Sequence, residues 1–165
     1  MAENASCVQG LGDRALSTVD PSMLTPKTPS EVERVERLRS TRQELGEVIV
    51  ARLARLPATF RMALEDGGEL MMVHGSPADP TVAMTHDMSD EELLALLGDD
   101  PADVVVCGAS HVPFVRMVGP TRIINVGSVG EAPTALVAHA TIVATSPAGV
   151  DVHPLAVALG PPSGD

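Results

Sequence analysis

Two histidines and one asparagine stand in loops that follow short apolar runs, where imidazole and amide groups can bind a metal ion or a polar ligand. His74 begins the loop His-Gly-Ser-Pro, and His111 lies in the loop Gly-Ala-Ser-His-Val-Pro. Asn125 begins a third loop, Asn-Val-Gly-Ser-Val-Gly. Imidazole is a common metal ligand and exchanges protons near neutral pH. The first question is therefore whether His74 and His111 share a site.

The apolar runs before these loops have the composition of buried strands. Residues 70–73, 103–107 and 122–125 are rich in Val, Ile, Leu and Met, and Gly and Pro residues stand in the loops that follow them. In open α/β sheets, ligands gather outside the carboxyl ends of the strands. We therefore predict an α/β fold with these loops at one edge of a sheet.

Helical patterns precede and interrupt these strands. Ser30 with Glu33 three residues later predicts a helix start, and the apolar spacing continues to Leu56, with a division at Gly46. Ser89 predicts the start of a second helix over residues 90–97, whose first turn is acidic.

Further strands and the segment boundaries follow from turn residues and β-branched runs. Residues 59–64 are predicted to be a strand, and 115–118 pairs with 122–125 around Gly119-Pro120. Residues 136–144 and 150–158 are predicted to form a terminal hairpin. We expect an irregular segment over 1–29, a domain over 30–158 and a flexible tail over 159–165.

The charge and composition exclude several classes of function. The net charge is −11, and residues 66–165 hold thirteen acidic side chains but only two basic ones, Arg116 and Arg122. Such a surface repels phosphate backbones, and without Trp or Tyr there are few platforms for base stacking, so we expect no nucleic-acid partner. Two distant cysteines, the lack of a signal-like start and the lack of a long apolar stretch predict a cytoplasmic protein with no membrane partner.

Other nucleophiles and ligands have weaker patterns. Ser76 and Ser128 lack the Gly-x-Ser-x-Gly elbow of a serine hydrolase. His139 and His153 lie in the terminal hairpin, where we interpret them as strand-surface residues. The acids between residues 87 and 103 lack the ligand spacing of a calcium loop.

Together, the order His-Gly-Ser-Pro, Gly-x-x-His-x-Pro-Phe and Asn-x-Gly-Ser-Val-Gly resembles the calcineurin-like metallophosphoesterases, in particular their small bacterial phosphodiesterase-like branch. The resemblance covers about residues 45–158. It implies a β-sandwich flanked by helices, with a two-metal centre that hydrolyses phosphate esters. Two cations in such a centre hold the attacking and leaving oxygens.

The metal-ligand motifs that the resemblance implies are incomplete in this sequence. His74 matches the histidine of the His-Gly ligand loop, and His111 matches the second histidine of Gly-His-x-His. The first histidine of that motif is replaced by Ala109. If Gly10-Leu11-Gly12-Asp13 corresponds to the family's Gly-Asn-His-Asp loop, its asparagine ligand is also replaced, by Leu11.

The start of the sequence departs from the family as well. Gly12 takes the place of the catalytic histidine in that loop, and only Asp13 is retained. The sequence has no early Asp-x-His motif, and we expect the fold to lack the family's first strands. The vestigial site is then expected to consist of His74, His111, Asp13 and Asn125, with His74 and His111 as an incomplete set of metal ligands.

Three interpretations follow from these motifs. In the first, the chain is a degenerate phosphoesterase-fold protein that binds rather than hydrolyses, carries no cofactor, and has an exposed sheet edge covered by another copy or a different protein. In the second, residues such as Asp13, His86 or Asp87 rebuild a site for Mn, Zn, Fe or Mg, and the chain is an active phosphodiesterase. In the third, the sequence is a fragment whose coding frame continues upstream.

Overall fold

The computed structural model describes residues 5–132 and 136–160, which fall into two compact units divided between Ala58 and Thr59. The first unit contains helix α1 (Leu11–Thr18), a 3-10 turn (Pro21–Met23) and helix α2 (Pro29–Leu53). Within the described residues, no helix is both long and apolar enough to cross a bilayer.

The first unit differs from the sequence expectation at its start. Residues 11–18 are helical, so the prediction of an irregular segment over 1–29 is wrong there. The Asp13 carboxylate accepts a hydrogen bond from the Gly10 N–H at 2.8 Å, which satisfies a backbone donor at the helix start. An eight-residue helix that begins Leu-Gly-Asp is too short and too rich in poor helix formers to be recognised from periodicity.

Helix α2 begins two residues earlier than predicted. Thr28, not Ser30, is the N-cap: its hydroxyl accepts the Glu31 N–H, and the Glu31 carboxylate accepts the Thr28 N–H at 3.0 Å. Pro29 takes the first helical position, where its missing N–H costs nothing. The predicted division is confirmed, because Gly46 has φ of +73° and interrupts the helical backbone.

The second unit is built on a five-stranded sheet. Its strands are β1 (Thr59–Ala63), β2 (Glu69–Val73), β3 (Val104–Cys107), β4 (Phe114–Val118) and β5 (Thr121–Asn125). Their order is β1-β2-β3-β5-β4, with β2, β3 and β5 parallel and the two edge strands antiparallel to their neighbours. The prediction of strands at these places is confirmed.

Two further elements complete the second unit. Helix α3 (Asp90–Leu97) begins at Ser89 as predicted, with the Ser89 hydroxyl accepting the Glu92 N–H. Strands β6 (Val137–Ser146) and β7 (Gly149–Ala158) form a hairpin with a two-residue turn. This hairpin is predicted from the sequence, although each strand is longer than expected at the turn. Of the predicted tail 159–165, residues 161–165 lie outside the described residues.

The sheet separates two apolar clusters. On one face, Leu93 and Leu97 of α3 pack against sheet residues that include Val105 and Ile123. On the other face, Leu70, Val104 and Ile124 pack against the hairpin through Val143, Val150 and Val152. The unit is therefore a mixed α/β sandwich of helix, five-stranded sheet and hairpin, which confirms the expected fold class.

Candidate functional site

The three loops singled out in the sequence meet at one edge of the sheet. Because β2, β3 and β5 are parallel, their carboxyl ends lie side by side. The His74 carbonyl oxygen accepts hydrogen bonds from the N–H groups of Gly108 and Ala109, at 3.1 and 2.9 Å. The Val126 N–H donates to the Cys107 carbonyl at 2.9 Å. The backbone thus brings the loops that carry His74, His111 and Asn125 together.

Asn125 ties two of these loops together through its side chain. The residue is buried, and its Nδ2 group donates to the Ser110 Oγ at 2.8 Å. Its Oδ1 accepts the Gly127 N–H at 3.0 Å. Both ends of the amide therefore contact protein groups, so Asn125 holds the loop containing Ala109 and Ser110 against the loop that follows β5.

His111 has an unusual backbone conformation. Its φ is +61°, a left-handed value that side chains with a Cβ rarely adopt, and its N–H donates to the Gly108 carbonyl at 3.0 Å. The imidazole is 34% exposed, and its Nδ1 lies 3.6 Å from a carboxylate oxygen of Glu131. The Glu131 carboxylate thus lies beside the His111 imidazole. The sequence patterns did not indicate this neighbour.

The loop after His74 is closely packed. Ser76 is buried; its hydroxyl donates to the Asp79 carbonyl at 2.9 Å and accepts the Asp79 N–H at 3.1 Å. A Cβ added to Gly75 would lie 2.5 Å from the Pro80 carbonyl oxygen. The Ser76 hydroxyl therefore stabilises a turn.

The cysteine at the end of β3 is held in its neutral form. Burial raises the pKa of the Cys107 thiol to about 12, and the Asn125 amide opposes this only in part. A thiol is a poor nucleophile and a poor metal ligand compared with its thiolate. Cys107 is thus a core residue that packs under the loops.

His139 is a residue of this edge that the sequence interpretation missed. Its N–H donates to the Ser128 carbonyl at 2.9 Å, and its Cβ lies 2.6 Å from the position that a Cβ would take at Gly127. Among the described residues, its buried Nδ1 and the buried Oγ1 of Thr141 have no hydrogen-bond partner. The expectation of a strand-surface residue is wrong, because alternation along β6 points His139 toward the Gly127 loop.

The remaining sequence candidates lie elsewhere in the chain. Asp13 belongs to the first unit, where it caps α1. His86 and Asp87 are exposed in the loop before α3. A hydrogen bond from the Thr85 hydroxyl holds the pKa of Asp87 below its ordinary value. Across residues 5–132 and 136–160, no three His, Cys, Asp or Glu side chains form a group that could hold a metal ion.

Comparison with known proteins gives the family of the chain. The family model described as the calcineurin-like phosphoesterase superfamily domain matches residues 7–147. No curated protein shows a significant match. A hypothetical protein from Pyrococcus horikoshii OT3 has a similar structure, with a TM-score of 0.75 and 19% identity over 96% of this chain and 65% of its own.

A second solved structure has the same fold. A metallophosphoesterase from Sphaerobacter thermophilus matches with a TM-score of 0.61 and 22% identity, over 90% of this chain and 64% of its own. The chain thus spans slightly less than two thirds of the length of both structures. The family model covers most of the sequence, including the three loops that meet at the sheet edge. The chain belongs to the calcineurin-like phosphoesterase superfamily.

Proposed function

We propose that this chain is a degenerate calcineurin-like phosphoesterase-fold protein that binds a partner instead of hydrolysing phosphate esters. The observation that carries the proposal is the methyl group of Ala109, which stands where the family pattern has the first histidine of Gly-His-x-His. An alanine side chain has no lone pair to donate to a cation. On the matched positions of this edge, His74 and His111 remain as one imidazole for each of the two metals.

The ligand count decides against a two-metal centre at this edge. A catalytic zinc normally takes three protein ligands and keeps one position open for water. The Asn125 amide links two loops, with its nitrogen donating to Ser110 and its oxygen accepting the Gly127 N–H, and it does not stand at a ligand position of the matched motifs. The side chains present therefore do not fit the pair of metals that the family implies, and we derive no hydrolytic step through them.

The contacts at the edge support a structural role for the former site residues. Asn125 joins two loops, and the His74 carbonyl accepts two backbone hydrogen bonds. We propose that His74, His111 and Asn125, together with Asp13 in the first unit, are remnants of the ancestral site. Both cysteines are free thiols, which supports a reducing, cytoplasmic location. The net charge of −11 supports a protein partner rather than a nucleic acid.

An active metal-dependent phosphodiesterase is the second candidate, and one contact favours it. The Glu131 carboxylate lies 3.6 Å from the Nδ1 atom of His111, and a carboxylate beside an imidazole is a common element of metal sites. In that case Glu131 would orient the His111 imidazole, whose other ring nitrogen would bind a divalent ion of Mn, Zn, Fe or Mg.

Turnover of bis-p-nitrophenyl phosphate with Mn²⁺ separates the two candidates. We expect wild-type protein to release p-nitrophenol at the rate of the buffer with Mn²⁺ alone. The variant Ala109→His restores the first histidine of the Gly-His-x-His pattern. We expect this variant to bind Mn²⁺ more tightly than the wild type does. Wild-type turnover that is lost in both His74→Ala and His111→Ala, with their melting temperatures unchanged, would overturn the proposal.

A further inference from the structure

The β6–β7 hairpin carries large apolar side chains on both of its faces. One face packs on the sheet through Val143, Val150 and Val152. The opposite face, here called the outer hairpin face, is exposed at Ile142 (52%), Leu155 (43%) and Val157 (57%). Cross-strand pairs of Leu155 with Ala140 and Val157 with Ala138 extend this apolar surface away from the turn, whereas the exposed His153 pairs with Ile142 on the same face. An antiparallel sheet with one solvated face normally places polar side chains there.

The exposed face of the hairpin is a better binding surface than the free edge of β7. Within the described part of the chain, β6 and β7 pair only with each other. Pro154 lies near the middle of β7 and removes a backbone donor, a feature typical of edge strands that do not accept another strand. A partner is therefore expected to pack across the apolar side chains instead of adding a strand to β7.

The charge of the second unit selects the kind of partner. Residues 59–165 contain fourteen acidic side chains and three arginines. Each arginine already contacts protein groups: Arg61 contacts Glu69 and Asp100, Arg116 contacts Asp90 and the Met88 carbonyl, and Arg122 contacts the Val150 carbonyl. A second copy would bring the same excess of negative charge, whereas a basic partner would be attracted.

One acidic side chain stands on the outer hairpin face, and a second lies beside the hairpin turn. Asp151 is exposed and pairs with Ala144, which places it on the same face as Leu155 and Val157. The Asp66 carboxylate lies 4.0 Å from the position that a Cβ would take at Gly149, beside the hairpin turn. The outer hairpin face is therefore apolar away from the turn and carries His153 and Asp151 nearer the turn, with the Asp66 carboxylate beside the turn itself.

We propose that the outer hairpin face binds a partner protein through a basic amphipathic segment, whose apolar side chains cover Ile142, Leu155 and Val157 and whose lysine or arginine side chains lie beside Asp151 and Asp66. This inference deepens the proposed binding function, on which it rests, by naming the surface and the chemistry of the partner. The same arrangement disfavours a membrane surface with anionic lipids, because Asp151 and Asp66 would be repelled.

Fluorescence anisotropy with two synthetic peptides tests the proposal on the whole chain. One peptide is an amphipathic helix of leucine and lysine, and the other has glutamate at every lysine position. We expect the lysine peptide to bind at least about tenfold more tightly than the glutamate peptide, with a preference that shrinks as salt is raised. The combined variant Ile142→Ser, Leu155→Ser and Val157→Ser should weaken binding by about tenfold or more.

Matched variants distinguish binding at the outer hairpin face from non-specific binding to other exposed apolar side chains. Met117, which is also exposed, lies on β4 outside the hairpin, so Met117→Ser should leave the affinity unchanged. Asp151→Asn should weaken binding of the lysine peptide and reduce the salt dependence of its affinity. If the triple variant does not fold by circular dichroism, the milder variant Leu155→Gln with Val157→Gln takes its place.

Three results would overturn the inference. Equal affinity for both peptides, or no binding of either, would contradict the proposal that the face prefers a partner with lysine or arginine side chains. An equal loss of affinity in Met117→Ser would show binding that is not specific to the hairpin. Self-association in sedimentation that disappears in the triple variant would show that a second copy occupies the face. None of these results depends on metal or turnover, so they are distinct from failure of the proposed function.

Discussion

Gly127 and His139 are packed so closely that no side chain fits between the loop after β5 and the start of β6. A Cβ at Gly127 would lie 2.6 Å from the Cβ of His139 and 3.1 Å from its Cγ. The φ of Gly127 is also +76°, which is unfavourable for other residues. This contact holds the hairpin against the edge where the three loops meet.

Gly127→Ala is therefore expected to destabilise the protein by about 2 kcal/mol or more, because the clash and the left-handed backbone act together. Chemical denaturation followed by circular dichroism measures the change. Gly130→Ala is the matched control, since a Cβ at Gly130 meets nothing within 4 Å. Equal stability of the two variants would show that the hairpin is not held at this contact.

Asn125 and Ser110 are expected to be energetically coupled. Removing either side of their hydrogen bond leaves a polar group with fewer partners near the core, at a cost of about 1–3 kcal/mol. A double-mutant cycle of Asn125→Ala and Ser110→Ala should give a coupling free energy of about 1 kcal/mol. Strictly additive effects would contradict the role of Asn125 in joining the two loops.

The two cysteines should react at very different rates. Cys7 is exposed, whereas Cys107 is buried with its pKa raised to about 12. A thiol reagent at mildly alkaline pH should modify Cys7 rapidly and Cys107 only on unfolding. Rapid modification of a thiol in the Cys7→Ser variant would show that the edge of the sheet opens readily.

The same thiol predicts a loss of stability at high pH. The pKa of Cys107 lies above its ordinary value of 9.0 in the folded protein, so the unfolded chain loses the proton first. The contribution of the protonated Cys107 thiol to the free energy of unfolding is fully present below pH 9.0 and is lost as the pH rises toward about 12. Compared with Cys107→Ala, the wild type should lose more stability over this range. Parallel pH profiles for the two proteins would contradict this.

The loop after His74 should tolerate no side chain at Gly75. A Cβ there would lie 2.5 and 2.6 Å from the carbonyl oxygens of Pro80 and Val82, and backbone atoms cannot move aside cheaply. We expect Gly75→Ala to lower stability by about 2 kcal/mol or more. Gly12→Ala, with open space around its Cβ, is the control. A Gly75→Ala protein as stable as this control would show that the loop repacks freely.

The sequence predicts the sheet, α3 and the meeting of three loops, because short apolar runs and capping residues are local signals. It misses α1, which is short and contains Gly12, and it misplaces the start of α2, because Ser30 with Glu33 has the same capping pattern as Thr28 with Glu31. Neither the His139–Gly127 contact nor the bond from Asn125 to Ser110 has a local signal. Both join segments that are distant in sequence, so only the fold reveals them.

The most direct test of the central claim is anomalous X-ray scattering from crystals of the whole chain soaked in Mn²⁺. We expect no pair of well-occupied manganese peaks between His74 and His111, because Ala109 stands at one ligand position and leaves one matched imidazole for each metal. Two such peaks about 3.5–4 Å apart, with these imidazoles as ligands, would contradict it.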